Sequence, residues 1–328
     1  MYNIILIGAG YWGKNFVRLL NNMKDMYNFI GVVEINTKIQ DKIKIQYPNL
    51  NIFTDYKKTF DLADIYLIAT PVFTHYEIAK NCLENRKHII VEKPLTNRIS
   101  KSRELITIAS KNKKRIFVNF TPLYTDPFNF LCKRYENKRQ DIFFINCSRC
   151  NLGIIRNDCN VVEDLTCHDI AMLIYFLQDY PDINSIKCCG KKCFSDNIDM
   201  ITIQMFFPKQ NILCNLYTSW VDNEKKREFS IIGRNEKIVY DDIKTINSIK
   251  INKSFVSLDL NNQCSTEKNF EYKFGDKLIP HQNYKEPLRN QMEHYYNCLK
   301  YNLPCKSDGE FALKVNEIIE AINHKISC

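Results

Sequence analysis

The sequence predicts an α/β protein of two domains. A doubly wound parallel sheet is expected over residues 1–120, and an α+β domain with a largely antiparallel, open sheet over residues 121–328. Three observations carry this. Over the first 120 residues, short apolar runs alternate with helical patterns, the signature of a parallel sheet covered on both faces. Beyond about residue 141, strand patterns follow one another without intervening helices, as in an antiparallel sheet. A chain of 328 residues is long for one core and comfortable for two.

In the first domain the apolar runs lie at 4–7, 29–33, 65–69, 88–91 and 116–118, and helical patterns at 12–22, 74–85 and 100–111. In the second, a strong helix over 163–177 precedes period-two stretches at 200–207, 212–220, 228–232 and 237–240. Helices over 284–301 and 309–325 end the chain. No repeat or low-complexity linker marks the boundary near residue 120, which is a change of pattern only.

Hydrophobic residues make up 45% and charged residues 25%, an ordinary globular balance. No stretch approaches the roughly 18 uninterrupted apolar residues of a membrane helix, and the N-terminus enters a core strand without a signal-peptide pattern. No membrane partner and a cytoplasmic location are therefore expected. The net charge of +9 either steers an anionic small molecule or reflects Lys, Asn and Ile spread along the whole chain. No basic stripe with interleaved aromatics stands out, so no nucleic-acid partner is expected. The 14 cysteines are scattered, several of them (Cys82, Cys147, Cys167, Cys214, Cys298) inside apolar patterns. That is the placing of small core residues in a reducing compartment. Cys147 and Cys150 have a metal-like spacing, but no second pair accompanies them. They also fall in a strand pattern, where positions three apart face opposite sides. No metal is expected.

The strand at 4–7 runs into Gly8-Ala9-Gly10-Tyr11-Trp12-Gly13 and then a helix. In such a G-x-G-x-x-G turn the first glycine permits the tight turn and the second admits a pyrophosphate. The third lets helix and strand pack closely, while the helix N-terminus offers amides to the anion. The whole chain has only 9 glycines, and three stand at this spacing directly after a strand. The next strand ends at Glu34, placed to accept from the adenosine ribose hydroxyls. A carboxylate there repels a 2′-phosphate and no Arg follows it, which favours NAD over NADP; Lys38 argues the other way. A dinucleotide-binding Rossmann domain is the reading.

Ala69-Thr70-Pro71 ends the strand at 65–69, and Thr74 is placed to cap the helix that follows. The strand at 88–91 ends in Glu92-Lys93-Pro94. Ligands bind at the carboxyl ends of such strands, so Lys93 either faces the crevice of the phosphate loop or is a solvated strand end. In the second domain Asp164 and His168 stand four apart, on one helix face. The imidazole is suited to accept a hydroxyl proton and the aspartate to orient it or to bind the hydroxyl. An Asp–His pair on an exposed helix start is the alternative.

Together these pieces resemble the glucose–fructose oxidoreductase/inositol dehydrogenase (Gfo/Idh/MocA) family. The resemblance rests on Gly8-Ala9-Gly10-Tyr11-Trp12-Gly13-Lys14-Asn15, Ala69-Thr70-Pro71 with His75, Glu92-Lys93-Pro94 and Asp164-x-x-x-His168, in an order and spacing that span essentially the full chain. It implies that Lys93, Asp164 and His168 form the catalytic constellation and that the Lys93–Pro94 peptide is cis. The cofactor set it implies is Gly8, Gly10, Tyr11, Trp12, Gly13, Glu34, Ala69, Thr70, Pro71, His75, Glu92 and Lys93.

Within the family, the chain is similar to UDP-N-acetylglucosamine 3-dehydrogenases and related UDP-sugar enzymes. The segments concerned are 10–15, 149–156, 163–170 and Ser307-Asp308-Gly309-Glu310. Thr166-Cys167 departs mildly, standing where small or apolar residues are more usual. The resemblance implies NAD-dependent oxidation of a secondary hydroxyl, C3 of a UDP-N-acetylhexosamine or its uronic acid, for amino-sugar biosynthesis. The substrate set is then Lys93, Tyr124, Arg149, Asn151, Arg156, Asp164 and His168, with Arg149 and Arg156 suited to phosphate by their planar forks. Alternatively one or both arginines pair with surface carboxylates such as Asp158 or Glu163. A cyclitol or free-sugar dehydrogenase would share the catalytic residues, and a non-enzymatic NAD-binding regulator should lack them. The resemblance also implies a homodimer or homotetramer built on the open sheet face, with 200–207 and 212–220 as candidate strands.

Overall fold

The computed structural model describes residues 1–157, 159–258, 270–281 and 284–326, which fall into two compact units. The first is Met1–Thr121 with Leu288–Glu317, and the second is Pro122–Pro287 with Ile318–Cys328. In the first, strands and helices alternate as β1 (Tyr2–Ile7), α1 (Gly13–Asn21), β2 (Tyr27–Val33), α2 (Thr37–Gln46), β3 (Asn51–Phe53), β4 (Ile65–Ile68), α3 (Val72–Glu84), β5 (His88–Glu92), α4 (Ile99–Lys111) and β6 (Ile116–Asn119). The six strands pair in parallel in the order β3-β2-β1-β4-β5-β6. Ile4, Ile5 and Leu6 of β1, all of β4, and Ile89–Val91 of β5 are buried. Strands covered by helices on both faces need apolar side chains on both sides, hence runs rather than alternation. The order reverses between β1 and β4, and the crevice at the carboxyl ends of strands flanking such a reversal is where doubly wound sheets bind ligands. Of these elements, α2 and the three-residue β3 have no counterpart in the sequence reading.

The second unit contains α5 (Asp126–Arg134), β7 (Ile142–Cys150), α6 (Cys167–Leu177), β8 (Lys187–Lys191), β9 (Met200–Phe207), β10 (Ile212–Ser219), β11 (Lys226–Gly233), β12 (Lys237–Asp241), β13 (Ile249–Asn252), β14 (Phe255–Leu258), β15 (Phe270–Lys273) and β16 (Lys277–Leu278). Eight strands form one sheet, ordered β16-β13-β12-β11-β7-β10-β9-β8, while β14 and β15 pair separately. The ladders are antiparallel except for β7 with β10. Alternation on β9 turns Ile201, Ile203, Met205 and Phe207 to the core. On the opposite face one row of register partners is apolar: Ile232, Phe144, Leu213 and Phe206. The next row along, Ser230, Asn146, Asn215 and Gln204, is polar. Among the described residues no helix is long and apolar enough to cross a membrane.

The chain ends in α7 (Pro287–Lys300) and α8 (Gly309–Lys325). A boundary at residue 120 leaves both with the second domain. In the structure, Leu288–Glu317 belongs to the first unit, and a buried polar network shows why. The Gln291 amide donates to the Asn119 carbonyl oxygen and, at 2.6 Å, to the Tyr295 hydroxyl. That hydroxyl and Ser307 Oγ both donate to the Val118 carbonyl at 2.7 Å. The ring of Tyr295 also stacks on Phe117, centroids 4.7 Å apart. Periodicity reveals a helix but not which sheet its polar positions address.

Candidate active site

The glycine turn is built by steric exclusion. Gly8 has φ +86°, and a Cβ on it would stand 2.9 Å from the Ala69 carbonyl oxygen; one on Gly13 would stand 2.1 Å from the Gly8 carbonyl oxygen. A Cβ on Gly10 would meet nothing within 4 Å, so the space above the turn is open to a ligand. No side chain caps α1, and its first turn carries no acidic residue, as suits a helix end that receives a phosphate. These features fit a dinucleotide. Glu34 is 7% exposed and tied to the turn: Oε2 accepts the Ala9 N–H at 2.8 Å and Oε1 the Asn36 N–H at 2.9 Å. The carboxylate expected on the ribose thus also fixes the loop. Tyr11 and Trp12 stand exposed beside it, edge to face at 6.1 Å.

The carboxyl ends of β4 and β5 are clasped by His75. Its ring nitrogens lie 2.8 Å from the Thr70 carbonyl oxygen and 2.9 Å from that of Pro94. At 1% exposure, His75 joins two strand ends instead of presenting itself to a cofactor, and burial lowers its pKa against the pull of those backbone bonds. Because α3 begins at Val72 with Pro71 at the cap position, Thr74 is a first-turn residue and not the cap. Its hydroxyl donates to the Pro71 carbonyl and stands 2.7 Å from the Thr70 hydroxyl. The Lys93–Pro94 peptide is cis. Beside it Glu92 accepts from the Asn119 amide at 3.0 Å. Burial pushes the Glu92 carboxyl up, with Asn119 and Lys93 pulling it back. The network from Gln291 through Asn119 therefore ends next to Lys93.

In the second unit, Asn160 and Glu163 start the helix as a capping box. Asn160 Oδ1 accepts the N–H of Val162 and Glu163, and Glu163 Oε2 accepts the Asn160 N–H at 3.0 Å. This reciprocal pairing satisfies amides at the helix start. The first turn, Val162–Thr166, is a π-helix that passes into α6; such turns are frequent at functional sites. Asp164 sits in it, one oxygen 3.2 Å from Arg156 Nη1 and the other accepting from Trp220 Nε1 at 3.2 Å. Nine of the eleven residues of α6 are buried, leaving His168 and Tyr175 partly open. Thr166 is explained by a buried hydroxyl contact to Thr218 at 3.0 Å.

Arg149 departs from the sequence reading. It is 4% exposed, and Nε and Nη2 donate to one oxygen of Asp169 at 3.0 and 2.8 Å. A guanidinium committed to an ion pair inside the unit holds β7 to α6 and is not available to a diphosphate. Burial pushes the Asp169 carboxyl up while Arg149 holds it down. Arg156 is the more open cation, with its side chain 40% exposed. Of the two carboxylates considered for it, Asp158 lies outside the described residues and Glu163 caps the helix; the observed partner is Asp164. Tyr124, expected among the substrate residues, is buried in a 3-10 turn. Asn151 follows β7 and donates its N–H to the Ser219 carbonyl. Cys147 and Cys150 are buried in β7, which pushes both thiols up, Cys150 to about 12. Ser307-Asp308-Gly309-Glu310 has a packing role: Asp308 accepts the Phe311 N–H, and Gly309 lies tight against Ile106 and Ile116.

Sequence reasoning missed Asn160, Gln291 and Trp220. The first had a readable signal in Asn160-x-x-Glu163; the other two are brought to their partners by long-range packing.

Residues 2–120 match a family model described as the oxidoreductase family with NAD-binding Rossmann fold, GFO_IDH_MocA. The uncharacterized oxidoreductase YdgJ of Escherichia coli (strain K12) is 33% identical over 107 residues, 32% of this chain and 30% of that protein. Matches to the first curated relatives span about a third or less of their length. Two solved structures share the fold over nearly the whole chain. A UDP-N-acetylglucosamine 3-dehydrogenase, GnnA from Acidithiobacillus ferrooxidans, superposes with TM-score 0.82 at 17% identity, covering 99% of this chain and 97% of that one. An aldose-aldose oxidoreductase from Caulobacter crescentus, complexed with glycerol, gives 0.81 at 14% identity, covering 98% and 96%. The turn geometry and the family match agree on the first unit: residues 2–120 form a Rossmann domain like that of the GFO_IDH_MocA oxidoreductase family model.

Proposed function

We propose that the protein is an NAD-dependent sugar dehydrogenase that oxidises a secondary hydroxyl, C3, of a UDP-N-acetylhexosamine or its uronic acid. The observation that carries the reading is the preorganised carboxylate of Asp164, held by Arg156 and Trp220, with His168 one turn further on the open stripe of an otherwise buried helix. Bound NAD supplies the hydride acceptor. His168 takes the hydroxyl proton as general base, Asp164 orients the hydroxyl, and the Lys93 ammonium favours the developing alkoxide. Arg156 contributes the cation for the substrate's diphosphate. Glu34, anchored against the phosphate turn, disfavours a 2′-phosphate. Support for the nucleotide sugar comes from the fold shared with the UDP-N-acetylglucosamine 3-dehydrogenase and from the openness of Arg156. The apolar row Ile232–Phe144–Leu213–Phe206 is proposed as the centre of a homodimer or homotetramer interface.

A UDP-N-acetylglucosamine deuterated at C3 tests the chemistry. Single-turnover reduction of NAD should be slower with the deuterated than with the protiated sugar. Equal rates from C3 label with slower rates from label elsewhere would move the reaction to another carbon, and tighter binding of NADP than of NAD would reverse the cofactor reading.

A further inference from the structure

The first unit also holds a cluster of soft ligands in its C-terminal return. His294 and Cys298 stand four apart on α7, so they share a helix face, and Cys305 comes from the loop that follows. His294 Nε2, Cys298 Sγ and Cys305 Sγ all lie within 4.8 Å of one another, with Nε2 and the Cys298 sulfur 3.3 Å apart. Around a tetrahedral zinc with bonds of about 2.3 Å to sulfur and about 2.0 Å to nitrogen, ligand atoms stand roughly 3.5–4 Å apart. The observed spread is within small side-chain adjustment of that.

The surroundings orient the ligands. The Lys306 N–H donates to His294 Nε2 at 3.2 Å, so this nitrogen carries no proton, and a bound metal would take the place of that amide on its lone pair. The loop is fixed on both sides of Cys305: Arg115 Nη1 donates to the Cys298 carbonyl at 2.7 Å, and the Val118 N–H donates to the Ser307 carbonyl at 2.8 Å. Asn302 takes a left-handed conformation at φ +49° where the chain leaves α7. Cys298 is completely buried and Cys305 partly so.

We propose that His294, Cys298 and Cys305 form a binding site for a thiophilic divalent transition-metal ion of the Zn²⁺ type, with solvent in the fourth position. Two thiols and an imidazole select a soft or borderline ion over Mg²⁺ or Ca²⁺. Binding displaces the thiol protons into solvent and ties the end of α7 to the loop that leads into α8.

The full-length protein, kept reduced, is titrated with Co²⁺ alone and then with Zn²⁺. One equivalent of cobalt should produce the intense d–d bands of a tetrahedral site and a thiolate-to-metal charge-transfer band, both erased by one equivalent of Zn²⁺. Cys305→Ser and His294→Gln should each lose the one-equivalent spectrum, whereas Cys189→Ser, at an exposed cysteine, should keep it. Circular dichroism checks that the variants fold, and the wild-type titration stands without them. Absence of a stoichiometric tetrahedral spectrum in the reduced wild type would overturn the proposal. So would a spectrum unchanged in Cys305→Ser, or two thiols that become titratable only on reduction and then bind no cobalt.

Discussion

Arg156 Nη1 stands 3.2 Å from one oxygen of Asp164, and the indole N–H of Trp220 donates to the other oxygen at 3.2 Å. The carboxylate is thereby fixed by a cation and a neutral donor before any substrate arrives. Fixing a polar group in advance removes reorganisation from the reaction itself. Because the Arg156 side chain keeps 40% of its exposure, it can serve an anionic substrate as well as Asp164. Arg156→Ala should raise KM by about tenfold or more while kcat falls less, the pattern of lost uniform binding. A fall in kcat at unchanged KM would confine Arg156 to orienting Asp164.

His168→Ala should lower turnover by roughly 10²–10⁴ if the imidazole is the general base. Cofactor affinity, measured by fluorescence titration, should stay near the wild-type value, because the phosphate turn lies in the other compact unit. Near-normal turnover at neutral pH would remove His168 from the mechanism.

Arg149→Ala should act on stability and not on substrate binding. Removing one partner of a buried ion pair costs about 3–5 kcal/mol because it strands the other charge. Chemical denaturation of Arg149→Ala should therefore show a large loss, with KM little changed in the folded fraction. A large rise in KM at unchanged stability would restore the substrate role read from the sequence.

His88 gives a pH signature. Burial, with Lys114 and Arg115 adding to it, lowers its pKa to about 4 from an ordinary 6.5. The Arg115 N–H donates into Nδ1 at 3.1 Å, which requires the neutral ring. Between these pH values the unfolded chain binds the proton and the folded one does not, so stability falls as pH drops from about 6.5 toward 4. A shift of this size is worth about 3 kcal/mol at most. His88→Asn, which keeps an acceptor but cannot titrate, should lose less stability than the wild type between pH 7 and 5. Equal losses in urea denaturation would show that other groups carry the acid sensitivity.

The reliable parts of the sequence were those set by local pattern. Continuous apolar runs gave β1, β4 and β5 because both faces of those strands are buried, and strict alternation gave β9 to the residue. Shorter elements escaped: β3 has three residues and pairs only by its neighbours, and α2 buries Ile43 alone. The glycine turn was legible because Gly8 and Gly13 each exclude a Cβ for a steric reason that acts within a few residues. By contrast, the partners of Arg149, His75 and Asp164 depend on contacts across strand ends and between sheet and helix. Charge and spacing identify such residues as chemically able, but only packing decides which of them keep their groups open to a ligand. The transfer of Leu288–Glu317 to the first unit rests likewise on Gln291 and Tyr295 meeting Asn119 and Val118, about 170 residues away along the chain.

The proposed oxidation of a nucleotide-linked sugar with NAD is tested most directly by a comparison of kcat/KM. Reduction of NAD is followed by absorbance with UDP-N-acetylglucosamine, its uronic acid, free N-acetylglucosamine and myo-inositol, with UDP added as inhibitor. A UDP-sugar should turn over, UDP should inhibit competitively, and His168→Ala should lose turnover. Turnover of free N-acetylglucosamine or myo-inositol that UDP leaves untouched would contradict the proposal and make the protein a free-sugar or cyclitol dehydrogenase.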